Sequence, residues 1–432
     1  MTYKEARVYL DKVSKYGSVL GLDTIRNLLN ELGNPQDKLK FIHIAGTNGK
    51  GSTLSFISTI LCEAGYRTGR YISPSVQSYL EMIQVNEKWI SEEDFTELVE
   101  KVEKAIVRME MKGQKSPTIF EIETAIAFLY FYNKACDYVV LETGLGGIED
   151  ATNVINNTVA AVFATISRDH MGILGNSLEE IAEKKAGIIK SGSVVVSAKQ
   201  QTEVEKVLRS RAEELKCSIA FSEPEKAVVS EEDYQKIIFS YKEMDNLQIC
   251  MTGKYQLMNV STALELVRTG IIPGISTETV RRALQKAVWP GRFTCISENP
   301  VFIIDGAHNE DAANKLRESV EQYFPENKKI FICGVFKDKE YEKMSQIMAP
   351  LADMIYTIEL PNKDRTLDAV TLREVMQKYC GSECKVEAAG SILAAIKNAL
   401  SEAGAEDVIL AFGSLSYLGT VMQYIREIYE GK

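Results

Sequence analysis

The chain alternates between two hydrophobic periods. Residues 40–45 form a short apolar run with β-branched side chains, and residues 52–64 then place Leu54, Ile57, Ile60 and Leu61 at helical spacing. The alternation continues. A short strand is predicted over 70–73, a helix over 120–135 and a buried strand over 137–143, which reads DYVVLET. A strand over 158–167, a helix over 177–190 and a strand over 194–198 follow. Such a β-then-α rhythm predicts a parallel sheet with helices on both faces, and the unbroken apolar runs suit strands buried on both sides. Residues 218–251 are less regular and hairpin-like, and helices are predicted over 255–268 and 277–287. The breaker pair Pro290-Gly291 sits in the segment WPGRF, Trp289 to Phe293. Beyond it the rhythm restarts with VFIID, KIFICGV, MIYTIEL, CKVEAA and DVILAFG. Two α/β domains are therefore expected, over residues 1–295 and 296–432.

Composition narrows the class. The 432 residues are 45% hydrophobic and 25% charged, as in an ordinary soluble globular protein. A formal net charge of -10 disfavours a nucleic-acid binder, which usually carries a basic stripe. No run approaches ~18 apolar residues, so no membrane span is expected. The start, MTYKEARVYLDKV, lacks the pattern of a signal peptide. Eight scattered cysteines then read as reduced thiols in a cytoplasm. Cys380 and Cys384 are the only close pair, with no histidine near them in sequence, so no zinc site is expected there. No oligomeric signal is present, and a monomer is expected.

The stretch 41–53, FIHIAGTNGKGST, carries the first chemistry. It departs from the phosphate-loop pattern G-x-x-x-x-G-K-[ST]: Ile44 stands where the first glycine belongs, and Gly51 follows the lysine. The physical requirements are nevertheless met. A buried strand delivers a Gly-rich turn, glycines allow backbone N–H groups to approach phosphate oxygens, and a helix begins just beyond. Lys50 adds a mobile cation, and Ser52 or Thr53 offers a hydroxyl. The plainer alternative is a Gly-rich turn with a surface lysine.

Three histidines occur. His43 lies within a strand and reads as a hydrogen-bonded core residue. His170 and His308 each follow a buried strand, at the edge where open α/β sheets bind ligands. Glu142 ends the strand YVVLE and opens into Gly144-Leu145-Gly146-Gly147. There it is placed either to hold Mg²⁺ against a triphosphate or to serve as a capping or salt-bridging glutamate. Ser73, after RYI, is a weaker candidate on its own.

Taken together, the segments LGLDTIRNLLNELGNPQ, HIAGTNGKGST, TIFEIETAIAF, LETGLGGIEDATN, ISRDHMGILGNSLEEIAEKKAGIIK, WPGRF, DGAHN and GSLSYLG resemble folylpolyglutamate synthase and dihydrofolate synthase, of the Mur ligase superfamily. The resemblance runs over nearly the whole chain. It implies a P-loop-type, mostly parallel-sheet ATPase domain followed by a smaller Rossmann-like α/β domain. It matches the short loop form G-T-N-G-K to Gly46, Thr47, Asn48, Gly49 and Lys50, with Gly51, Ser52 and Thr53 continuing the ATP-binding segment. It implies that Ser73, Glu142 and His170 hold Mg²⁺, and that a carbamylated Lys185 helps bind a second Mg²⁺. Asn259, Arg292 and Asp305 would contact ATP, and His308 would lie near the same cleft. Phe120, Glu121, Asp150 and Ser416 would lie on the substrate side.

The implied reaction is acid–amine ligation. ATP phosphorylates a carboxylate of a folate or of dihydropteroate, and the amine of L-glutamate displaces phosphate from the acyl phosphate. Lys50, His170, Lys185, Asp305 and His308 form the implied catalytic set. Several family positions differ. Ser75 replaces a histidine, Met82 and Ile148 replace arginines, Lys184 replaces a glutamate and Tyr255 replaces a histidine. None is a predicted metal or phosphate ligand, and several fall near the acceptor. A ligase of the same chemistry acting on a non-folate carboxylate is therefore the alternative, followed by a non-catalytic nucleotide-binding protein.

Overall fold

A computed structural model describes residues 1–13, 21–169 and 172–430. Its first sheet contains β1 (Phe41–Ala45), β2 (Thr68–Tyr71), β3 (Ile83–Val85), β4 (Lys88–Trp89), β5 (Tyr138–Glu142), β6 (Thr158–Phe163), β7 (Val194–Ser197) and β8 (Ile219–Phe221). They lie in the order β4-β3-β2-β5-β1-β6-β7-β8. From β2 to β8 the neighbours pair in parallel, and β3 and β4 add an antiparallel edge. Central β1 is buried along its whole length, as its unbroken apolar run predicts.

Around this sheet lie α1 (Tyr3–Val13), α2 (Asp23–Glu31), α3 (Lys50–Glu63), α4 (Glu92–Met111), α5 (Ile119–Asn133), α6 (Leu178–Ala186), α7 (Thr202–Glu214), α8 (Tyr255–Arg268) and α9 (Thr277–Lys286). α5 is buried from Glu121 through Phe131, and its start is tied by a capping box between Thr118 and Glu121. The hairpin-like region expected over 218–251 contains a three-stranded antiparallel sheet of β9 (Ala227–Glu232), β10 (Ile237–Tyr241) and β11 (Met244–Ile249).

The second sheet contains β12 (Thr294–Glu298), β13 (Val301–Ile304), β14 (Lys329–Cys333), β15 (Met354–Thr357), β16 (Lys385–Ala388) and β17 (Val408–Phe412), in the order β12-β13-β17-β14-β15-β16. Only the β12–β13 pair is antiparallel. Its helices are α10 (Glu310–Tyr323), α11 (Tyr341–Met348), α12 (Ala369–Tyr379), α13 (Ile392–Glu402) and α14 (Leu418–Glu430). Alternate residues feed two cores: Phe331 and Cys333 join one apolar cluster, while Ile330 and Ile332 join the other.

Two expectations shift. The 295/296 boundary falls inside β12, which pairs with β13 in the second sheet. The strand expected over 158–167 leaves the sheet after Phe163. Beyond that point the chain braces the β1 loop: Thr165 O accepts from Thr47 N and Asn48 N, at 2.8 and 3.2 Å.

Candidate active site

The loop after β1 emerges at the carboxyl edge of the sheet, between β5 and β6, where parallel sheets bind ligands. Gly49 precedes α3 with φ 87°, a left-handed conformation that favours glycine. A Cβ there would sit 2.3 Å from Asn259 Oδ1, and one at Gly51 would sit 2.4 Å from the Trp289 indole. Gly49, at the N-cap of α3, has no side chain to cap it, so the N–H groups of the first turn are open to a ligand. Lys50 Nζ lies 3.4 Å from Thr47 O and 3.8 Å from Glu142 Oε1. Gln256 Nε2 donates to Ser52 Oγ at 3.3 Å, and Thr53 Oγ1 is buried without a partner among the described residues.

Two charged groups stand beside the loop at unusual set-points. Burial raises the Glu142 carboxyl, and Lys50, Arg292 and the Ser73 N–H oppose that rise. Lys185, in the last turn of α6, donates from Nζ to Gly46 O at 2.9 Å. Burial, reinforced by Lys50, lowers its amine to about 7. A substantial neutral fraction therefore exists at neutral pH.

The second sheet contributes from the ends of β13 and β17. Asp305 Oδ2 accepts from Phe293 N at 2.8 Å and from Tyr255 OH at 3.0 Å, while Oδ1 accepts from Ala307 N at 2.8 Å. The carboxylate thus joins α8 of the first domain to the WPGRF turn and the second sheet. Its burial raises its pKa, and Arg292 opposes the rise. His308 Nδ1 lies 2.8 Å from Gly306 O. That contact requires the Nδ1–H tautomer and leaves Nε2 as an acceptor. Burial, reinforced by Lys339, lowers His308 to about 4, so it is neutral at physiological pH.

One cavity of about 660 Å³ unites these parts. Thr47, Asn48, Gly49, Lys50, Gly51, Ser52, Ser73, Glu142, Asn259, Arg292, Asp305 and His308 all line it. Gly46, Thr53 and Lys185 are outside the lining. Phe120 packs beneath Gly144, which does line it.

The other substrate-side candidates have local partners. Glu121 Oε2 accepts from Thr118 N at 2.7 Å in the α5 cap. Asp150 accepts from Leu145 N at 2.6 Å and Thr152 N at 3.0 Å. Ser416 Oγ lies 2.9 Å from Ser414 Oγ. His170 lies outside the described residues. His43 is a core histidine, 2.9 Å from Thr152 Oγ1 and lowered by burial to about 3.

Sequence reasoning did not nominate Trp289, Tyr255, Asp169 or Lys315, all of which line the cavity. Trp289 was within reach as part of WPGRF, and Asp169 as the neighbour of His170. Tyr255 and Lys315 sit on helices that only folding brings together. Among the described residues no helix is long and apolar enough to cross a membrane.

Comparison with known proteins agrees with this geometry. The Mur ligase middle domain matches residues 44–267, and the Mur ligase glutamate ligase domain matches residues 291–415. A dihydrofolate synthase/folylpolyglutamate synthase of Bacillus subtilis is 34% identical over 98% of this chain and 99% of its own. The chain belongs to this family of Mur ligases. Among its solved members, folylpolyglutamate synthase from Thermotoga maritima superposes with a TM-score of 0.86 at 31% identity, covering 100% of this chain and 97% of its own. The E. coli member, captured with DHPP and ADP, gives 0.87 at 28% identity over 99% of each chain. The Tyr255 hydroxyl supplies the bond from α8 to Asp305. Met82 is buried, whereas Ile148 is 44% exposed.

Proposed function

We propose that this chain is an ATP-dependent ligase that adds L-glutamate to a folate through an acyl phosphate, and that it also accepts dihydropteroate. The carrying observation is the cavity in which the open start of α3 and Lys50 meet Glu142, Arg292, Asp305 and His308. It combines an anion-binding helix end with groups from a second domain, as transfer between a nucleotide and a second substrate requires. The E. coli relative's complex with ADP and DHPP supports both halves of the reading.

In the first step an acceptor carboxylate oxygen bonds to the γ-phosphorus while the bond to ADP breaks. The α-amine of glutamate then attacks the acyl carbon, loses a proton, and phosphate leaves. Lys50 and the α3 N–H groups stabilise charge on the phosphate oxygens. His308 is too weakly basic to serve as a strong base. Its free Nε2 instead accepts a hydrogen bond and orients the incoming amine. The two domains together exclude water from the acyl phosphate.

Mg²⁺ fits this donor set. It keeps several waters and takes only one or two carboxylates beside substrate phosphates, so Glu142 with Ser73 is sufficient where phosphates are present. When bound, it would neutralise phosphate charge. His170 would join these ligands. The partly neutral Lys185 amine is the form that adds CO₂, forming an N–C bond and releasing a proton. The resulting carbamate would offer oxygens to a second Mg²⁺. The same reading makes the chain a cytoplasmic monomer, and eight free thiols suit the cytoplasmic part of it.

The test is phosphate release from Mg-ATP and glutamate with dihydropteroate, tetrahydrofolate or 5,10-methylenetetrahydrofolate in separate reactions. Release with a reduced folate is expected, and release with dihydropteroate supports the bifunctional form. Silence with all three overturns the reading. Lys185→Ala should lower turnover, with partial recovery in acetate or bicarbonate. Full activity without rescue would remove Lys185 from metal binding.

A further inference from the structure

The phosphate loop is held from the second domain as well as the first. Asn48, in the middle of the loop, has its amide gripped at both ends. Its Nδ2 donates to Asp311 Oδ2 at 2.7 Å, and its Oδ1 accepts from Asn309 Nδ2 at 3.4 Å. Both partners belong to the start of α10: Asn309 caps that helix through Ala312 N, at 2.9 Å, and Asp311 lies in its first turn. Among the described residues, the first domain reaches the Asn48 side chain through Ser167 Oγ alone, at 3.5 Å. Asn309 Nδ2 also meets Asp169 Oδ2 at 3.4 Å, and Lys339 lies 3.5 Å from Asp169 Oδ1. α10 therefore engages the edge of the first sheet at two neighbouring points. Asp311 is a carboxylate beside a site built for anions, an arrangement that simple charge matching disfavours. Lys315 lies 3.0 Å from it and also lines the cavity.

We propose that Asp311 and Asn309 are positioning residues that hold the phosphate loop through Asn48, so that nucleotide affinity depends on the approach of the second domain. The inference rests on the ATP-dependent reading above. Asp311 acts by accepting a hydrogen bond, and Lys315 balances its charge. The sign of its removal separates this role from electrostatics. Without Asp311, Lys315 is freed in a nucleotide cavity, so charge alone predicts tighter binding. Loss of the loop's brace predicts weaker binding.

The experiment is calorimetric titration of the full chain with Mg-AMPPCP, for wild type, Asp311→Ala, Asp311→Asn, Asn48→Ala and the Asn48→Ala/Asp311→Ala pair. Asp311→Ala should weaken binding about tenfold, the range of a lost charge-assisted hydrogen bond. Asp311→Asn, which keeps an acceptor oxygen, should recover most of that loss. The double variant should bind no worse than the weaker single one, because both remove the same contact. In turnover, Asp311→Ala should raise KM for ATP and leave KM for glutamate unchanged. Unchanged or tighter binding by Asp311→Ala, or strictly additive losses in the pair, overturns the proposal while leaving the ligase reading intact. Failure of wild type to bind Mg-AMPPCP overturns both. Melting curves identify any variant that fails to fold; if Asp311→Ala is one, Asn309→Ala takes its place, and unchanged Mg-AMPPCP affinity in that variant overturns the proposal.

Discussion

Two glycine-rich loops leave adjacent parallel strands of the same sheet, and they have opposite uses. After β1, the loop runs straight into the 14-residue helix α3, whose first N–H groups receive no side-chain cap. After β5, the turn over 144–150 consumes its own donors: Leu145 N bonds to Asp150 Oδ2 at 2.6 Å, and Ile148 N bonds to Lys184 O at 2.9 Å. It then enters a short 3₁₀ turn, Ala151–Val154, rather than a long helix. Glycine content is similar in the two loops. The difference lies in the destination of the backbone N–H groups, which makes one loop a site for an anion and the other a self-satisfied wall beside it.

The largest expected effect is on the first loop. Lys50→Ala should lower kcat ~10²–10³-fold, as for loss of one charge-stabilising donor. Its melting temperature should stay close to wild type. A stable, fully active variant would break the distinction between the loops. In the second loop the loss should appear as stability. Asp150→Ala leaves the half-buried Leu145 N–H and the buried Thr152 N–H without an acceptor, at about 3 kcal/mol in urea unfolding. Mg-AMPPCP affinity should hold. A large fall in affinity without lost stability would make Asp150 a ligand-binding group rather than a loop organiser.

Lys185 sharpens the comparison through pH. In the uncarbamylated, metal-free chain its amine falls from 10.5 unfolded to about 7 folded. Between those values the unfolded chain binds more protons, so wild-type stability rises with pH. Lys185→Met should therefore stabilise the fold most near pH 7 and progressively less towards pH 10.5, as chemical unfolding across that range will show. A matching effect at acid pH concerns His43, in the strand that carries the first loop. Its depressed value of about 3 means that stability falls as pH drops from 6.5 towards 3, because only the unfolded state takes the proton. His43→Leu should flatten that part of the acid-unfolding curve. An unchanged slope would assign it to other groups, His308 among them.

The domain contacts explain why part of the site escaped the sequence. α14 packs so closely on the segment after Ser73 that a Cβ at Gly419 would sit 2.0 Å from Val76 O. No spacing rule connects those positions. Tyr255 and Asp305, and likewise Asn48 and Asp311, are distant in sequence and share no motif. By contrast, the phosphate loop, Glu142 and the DGAHN segment each combine strand, turn and chemistry within a few residues. Local order suffices to mark them.

The amino-acid sequence by itself determined the two α/β units, the strand that carries each polar cluster, and the family through GTNGKGST, WPGRF and DGAHN. These features depend on short-range periodicity and turn chemistry. Tertiary structure alone decided that Lys185 is buried to about 7, that Asp150 faces its own turn, and that α10 reaches across to Asn48. Desolvation and interdomain hydrogen bonds depend on which surfaces meet, and that is settled only when the two sheets are brought together.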